Sequence, residues 1–343
     1  MDQKPETNPI PQAIHDNLFI VNTLINDGLR TDGLIDRRFG KLVDTKVRAS
    51  LNPIEGVKSY DVSIDPCWFR VFVPDVITHS LPVIVYYHGG GFAFYGPDST
   101  PYDGLCRRFA KMVPAIVISA SYRLIPEHRY PTQYEDGFNV LKFLDDKKNR
   151  MMLPKNADLQ RCFVLGDCAG GNIAHHVCIR ASQHKFQHLK VLGLVALQPL
   201  FGGEERVESE ISCENRLGLH LDQTDFYWNV IQPLAPDEKW DRDNGAINVS
   251  GPKAIDISGL SFPPTLVVVG GRDILEDRQR NYYVWLKNSG KEAYLEQYEY
   301  MFHGFYTFPQ LAESTHVISV VKNFINKQMK FKLKLKLHLH SSL

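Results

Sequence analysis

Five short apolar runs recur along the chain, at residues 83–87, 115–120, 162–165, 191–197 and 265–269. Each is too short for a core helix and rich in residues suited to a strand buried on both faces. Stretches with helical spacing separate them, at roughly 101–112, 132–146, 169–183 and 277–289, and a last one covers about 313–327. Strand–helix alternation of this length predicts an α/β fold with a mainly parallel central sheet flanked by helices. Two alternating segments ahead of the series, 57–64 and 68–73, read as an antiparallel pair. Residues 12–29 carry helical apolar spacing (Ile14, Leu18, Leu24) and end at Gly28, and a polar stretch follows to about Glu55. Residues 201–260 break the rhythm with more charge, Pro and Asp, and read as an insertion over the catalytic edge. The expected organisation is one domain over 1–327, followed by a frayed, disordered tail over 328–343.

Charge narrows the class of partner. The 343 residues hold 39 basic and 39 acidic side chains, so no long-range field collects nucleic acid or anionic membrane. The balance is uneven, because Lys327, Lys330, Lys332, Lys334 and Lys336 fall in the last 17 residues, which contain no acid. No stretch approaches the ~18 apolar residues of a membrane span. The opening residues lack the pattern of a secretory signal. The six cysteines show no metal-like pairing and read as free thiols of a reducing compartment.

Four motifs follow strands. His88-Gly89-Gly90-Gly91-Phe92 comes directly after the run 83–87, and consecutive glycines there let backbone N–H groups converge on a developing oxyanion. A phosphate cradle is the competing reading, but the Lys-Ser/Thr continuation of a P-loop is missing. Gly166-Asp167-Cys168-Ala169-Gly170 lies between a strand and a helix and has the form G-x-S-x-G, the nucleophile elbow, with cysteine in the serine position. A buried, inert thiol is the alternative for Cys168. Gly270-Gly271-Arg272-Asp273 follows the strand 265–269, and His303 follows a strand-like stretch at 293–298. Singly, Asp273 fits a turn and His303 a surface histidine. Together, the order nucleophile, acid, histidine is the one an α/β-hydrolase requires. Asp277 is a second candidate for the acid.

These motifs, with Tyr122-Arg123-Leu124-Ile125-Pro126-Glu127-His128 and Phe201-Gly202-Gly203, resemble the plant carboxylesterases of the hormone-sensitive-lipase-like group over nearly all of residues 10–327. That group includes gibberellin receptors and 2-hydroxyisoflavanone dehydratases. The resemblance implies an α/β-hydrolase fold with an N-terminal helical cap over about 10–45. It also implies oxyanion donors at Gly90, Gly91 and Ala169, and scaffold roles for His88 and His128. Gibberellin receptors lose the catalytic histidine, whereas His303 is present. Esterases of the group carry serine where this chain has Cys168, a departure shared in kind by the dehydratases.

The expected chemistry is a Cys168–His303–Asp273 triad acting on an ester or lactone of a small, plant specialised metabolite. The alternatives are a repurposed enzyme (elimination, cyclisation or acyl transfer) and a small-molecule receptor. Phe19 on the cap, with Phe92 and Tyr95 after the glycine loop, suggests a moderately large apolar or aromatic ligand, and cap–core packing explains the same residues equally. Metals and cofactors are not expected: His175 and His176 are adjacent on a helix and point apart. The expected partner is the substrate alone, with no nucleic acid and no stable membrane insertion, in a monomer or homodimer. The expected location is cytoplasmic, extending to the nucleus, with a peroxisomal reading of the terminal Ser341-Ser342-Leu343.

Overall fold

The computed structural model describes residues 10–78, 80–212, 217–233 and 240–341, with side chains to residue 330. Cys213 and the last two residues, and with them the expected terminal signal, lie outside the described residues. Eight strands form a single sheet: β1 Val57–Ile64, β2 Cys67–Pro74, β3 Leu81–Tyr87, β4 Ile116–Ala120, β5 Ala157–Asp167, β6 Val191–Leu197, β7 Thr265–Gly270 and β8 Ala293–Tyr298. Their spatial order is β1-β2-β4-β3-β5-β6-β7-β8. β1 pairs antiparallel with β2 and β2 with β4, while every other pairing is parallel.

The uninterrupted apolar runs follow from burial on two faces. Within β3, Val83, Val85 and Tyr87 join one core while Ile84 and Tyr86 join the other. β5 divides in the same way, Val164 to one side and Phe163 and Leu165 to the other. Because side chains alternate along a strand, a strand covered twice must be apolar at every position. One face is covered by α4 Thr132–Asp145, α5 Ala169–Gln183 and α8 Glu276–Asn288; the other by α3 Thr100–Met112 and α9 Ala312–Ser341.

The N-terminal segment forms two helices, α1 Gln12–Gly28 and α2 Arg37–Val43. The second lies inside the polar stretch and within the helical cap that the resemblance implies over about 10–45; seven residues are too few to show a period of their own, and α2 depends on tertiary contacts. Asp36 caps it by accepting the Arg38 N–H. Arg37 reaches the carbonyls of Ala93 and Ile125 and pairs with Glu127 at 2.6 Å, which ties α2 to the loop behind the glycines. The insertion contributes α6 Glu208–Ile211 and α7 Leu221–Ile231.

The tail corrects an expectation. The final helix does not stop near residue 327 but runs to Ser341. Val317, Ile318, Val321 and Ile325 seat it on the sheet. Beyond them, Leu, Lys and Met are good helix formers, and no Gly or Pro intervenes to stop propagation. Apolar–polar alternation with no neighbouring strand to pair with yields to that propensity.

One buried ion network fixes α3 under the glycine loop. Asp103, 3% exposed, receives Arg107 at 2.6 Å and Arg70 at 3.1 Å, and both arginines are themselves buried. Removing the carboxylate leaves buried Arg107 without an anion, while Arg70 keeps Asp61 at 2.7 Å. Asp103→Ala is therefore expected to lower the unfolding free energy by about 3–5 kcal/mol in chemical denaturation, several times the effect of Asp32→Ala in an exposed pair.

Candidate active site

Parallel strands end on the same edge of the sheet, so the loops after β3, β5, β7 and β8 meet there. β5 ends at Asp167, and α5 begins at Ala169. Between them Cys168 adopts φ 50°, ψ −122°, a left-handed conformation that a β-carbon resists. Close packing on both sides enforces it. A Cβ on Gly170 would lie 2.0 Å from the Tyr87 carbonyl oxygen, and one on Gly166 would lie 2.1 Å from that of Gly170. Only glycines fit there, and the chain has no room to relax the turn. The backbone of Cys168 is held from several sides: its N–H donates to Leu197, and its carbonyl accepts from Gly171, Asn172 and Leu200.

Asp273 is fully buried after β7. Its Oδ2 lies 2.7 Å from His303 Nδ1 and also accepts the side-chain amides of Gln198 at 3.0 Å and Gln279 at 2.9 Å, while Oδ1 accepts the Leu275 N–H. The Cys168 side chain lies near enough to His303 to act on its charge. With Nδ1 turned to Asp273, Nε2 is the nitrogen left for the thiol. Burial alone would depress the His303 pKa, but the Asp273 charge, followed by Cys168, outweighs it and holds the pKa well above the ordinary value. The candidate nucleophile, base and acid are thus brought together. Asp277 is not part of the group; its carboxylate accepts the Ser209 N–H of the insertion.

The other described cysteines sit in different surroundings. Burial pushes the thiols of Cys67 and Cys162 up to about 12 and raises those of Cys106 and Cys178.

Gly90 and Gly91 take positive φ, 103° and 61°, and turn the loop back beside the elbow. Among the described residues no hydrogen bond uses the N–H of Gly90, Gly91 or Ala169. His88 is neutral scaffold, as expected: burial lowers its pKa to about 4, its Nδ1 lies 2.8 Å from the Gly89 carbonyl, and its ring stacks on Tyr122.

The expected ligand-facing aromatics separate. Phe19 is 73% exposed, because the buried stripe of α1 runs through Ile14 and Ile25 and leaves it one position off. Phe92 is fully buried against Tyr134 and Trp228 and serves packing. Of the three, Tyr95 alone lies close to the loop, with its ring against Gly90 and beside Tyr102. A residue missed by sequence reasoning takes the expected place: the ring of Tyr227 on α7 packs on Gly91, where a Cβ would meet it at 2.3 Å, and it lies near Cys168. Its signal in the sequence, one tyrosine in a polar insertion, was too weak to separate it from its neighbours.

Asp167, beside the elbow, forms a second buried carboxylate. Its oxygens accept the hydroxyls of Tyr86 at 2.5 Å, Tyr306 at 3.1 Å and Tyr102 at 3.3 Å, as well as the Gly89 N–H. Burial outweighs these donors and raises its pKa to about 6. A carboxyl with a raised folded pKa keeps its proton longer in the native state than in the unfolded one. Its contribution to the unfolding free energy is greatest below pH ~4 and falls as pH rises through about 6. Comparing native protein with Asp167→Asn by urea denaturation at pH 4.5 and 7 should show the native protein losing about 1–3 kcal/mol relative to the variant as pH rises.

No helix of the described residues is long and apolar enough to cross a membrane, and no group of three or more potential metal ligands occurs among them. Residues 84–307 match the family model described as alpha/beta hydrolase fold. A gibberellin receptor of Arabidopsis thaliana is 37% identical, covering 87% of this chain and 89% of its own. A 3-O-acetylpapaveroxine carboxylesterase of Papaver somniferum is 33% identical over 71% of this chain and 80% of its own. Among solved structures, a thermostable carboxylesterase from a metagenomic library superposes with TM-score 0.67 at 25% identity, covering 93% of this chain and 99% of that one. With the fold, the strand-end loops and these relatives in agreement, the chain belongs to the carboxylesterase-like branch of the α/β hydrolase family.

Proposed function

We propose that the protein is a carboxylic ester hydrolase that works through Cys168, His303 and Asp273 on an ester or lactone of a small apolar metabolite. The observation that carries this reading is the Asp273–His303 hydrogen bond at 2.7 Å beside a thiol on a strained elbow. In the proposed cycle His303 Nε2 takes the Cys168 proton, and the thiolate attacks the carbonyl carbon, forming a C–S bond. The free N–H groups of Gly90, Gly91 and Ala169 receive the oxyanion. Its collapse breaks the C–O bond, and His303 returns the proton to the leaving alkoxide. Water then attacks the thioester, passing a proton to His303. Collapse of this second oxyanion breaks the C–S bond, and the proton returns to the sulfur. Asp273 stays ionised throughout and stabilises the imidazolium.

Sulfur changes the balance of this chemistry. A thioester is more reactive than an oxyester toward amines and carbanions, so acyl transfer or another repurposed reaction is a branch of the same site. A receptor reading is favoured by a separate observation, the 37% identity to a gibberellin receptor. In that reading Tyr227 and the cap close on a ligand that is not turned over.

A panel of p-nitrophenyl esters, assayed on native protein, Cys168→Ala, Cys168→Ser and His303→Ala, separates the three. Covalent hydrolysis predicts loss of at least about a thousandfold in kcat for both alanine variants. Activity kept by Cys168→Ala but lost by His303→Ala selects a repurposed site without a nucleophile. No turnover by any form, with gibberellin-induced protection of residues 10–45 in hydrogen exchange, selects the receptor.

A further inference from the structure

Gln198 follows β6 directly, is fully buried and has φ 41°. Its side chain reaches Asp273 and the backbone of the two residues that flank His303. Nε2 donates to Asp273 Oδ2 at 3.0 Å and to the Phe302 carbonyl at 3.2 Å, and Oε1 accepts the Gly304 N–H at 2.8 Å. One amide therefore grips the carboxylate that orients His303 and the peptide groups on both sides of His303. The bases of the two loops are joined by backbone bonds, Gly271 to Tyr298 and Arg272 to Met301. Beyond Met301, Gln198 carries the connection. The adjoining glycine is part of the arrangement, because a Cβ on Gly270 would lie 2.3 Å from Gln198 Nε2. Backbone pairing of Gln198 N–H with Val268 anchors the residue to the strand that delivers Asp273.

We propose that Gln198 is a positioning residue that sets the distance and orientation between Asp273 and His303. This rests on the reading that Cys168, His303 and Asp273 carry the reaction. A primary amide suits the place because it donates and accepts at once and carries no charge. A cation there would compete with the imidazolium for Asp273, and an anion 3.0 Å from the carboxylate would raise the proton affinity of the whole group.

The test uses the full chain and needs no known substrate. NMR follows the His303 Nδ1 proton and the ring-nitrogen titration, and mass spectrometry follows iodoacetamide alkylation of Cys168 at pH 7. In Gln198→Ala the bonded Nδ1 resonance should weaken and move upfield, the His303 titration should move toward an ordinary histidine, and alkylation should slow by about threefold or more. In Gln198→Glu, nearly isosteric and so the safer variant to fold, the added charge should move the titration the opposite way. Shifts of opposite sign are a signature that lost packing does not produce. An unchanged His303 resonance and titration in Gln198→Ala, or shifts of the same sign in both variants, overturns the assignment. If native Cys168 is alkylated no faster than in His303→Ala, the failure lies instead in the triad reading on which the assignment rests.

Discussion

The contact on which the site depends is the approach of two backbones, where the carbonyl of Tyr87 occupies the space a Cβ on Gly170 would need. It locks the start of α5 against the end of β3, so the turn between β5 and α5 has no freedom to open. The positive φ of Cys168 follows from that confinement and is not a local preference of cysteine. The same contact fixes the glycine loop, which leaves β3 at the point of closest approach. Cys168 and the glycine loop are thus positioned by packing of main chain, which is stiffer than any pair of side chains. Their geometry is set before the cap or the insertion contributes anything.

Two buried carboxylates flank this elbow, and their surroundings separate them. Asp273 is supplied with two neutral amides and a backbone N–H, and it faces a histidine that gains positive charge during the proposed cycle. Asp167 is supplied with three tyrosine hydroxyls, and burial raises its pKa to about 6. The first turns its oxygens to His303 and to neutral donors. The second braces the loop through Gly89 and needs no charge to do so. Exchanging these environments would leave His303 without its partner, so the distinction lies in the donors rather than in the acids.

What the sequence made legible has a common cause. The central strands of the sheet are covered on both faces, which forces short uninterrupted apolar runs, and the candidate site residues stand on strand-end loops. Cys168, Asp273 and His303 could therefore be proposed from their motifs and their places after strands. Gln198 stands in an equivalent place, directly after β6, but a glutamine carries no chemical signature and becomes visible only when three distances converge on it. Tyr227 escaped for a related reason, since its place depends on contacts between segments far apart in the chain. Phe19 misled because hydrophobicity was read without the helix phase that turns it to solvent. In the tail, apolar–polar alternation has no strand to pair with, and uninterrupted helix formers prevail.

A triad this complete bears on the choice between hydrolase and receptor. A ligand-binding site needs neither a histidine held on a buried carboxylate nor three backbone donors left without acceptors beside a thiol. Each carries a folding cost, since a strained turn, a buried charge and unpaired N–H groups all oppose the native state. A pure receptor gains nothing from keeping them together. A transition state that develops negative charge at the glycine loop and positive charge at His303 makes use of all three. That economy is the argument for the proposed hydrolase over the receptor reading, although the receptor relative is the more similar of the two compared. Tyr227 packs on the glycine loop from the insertion and brings its ring close to the sulfur.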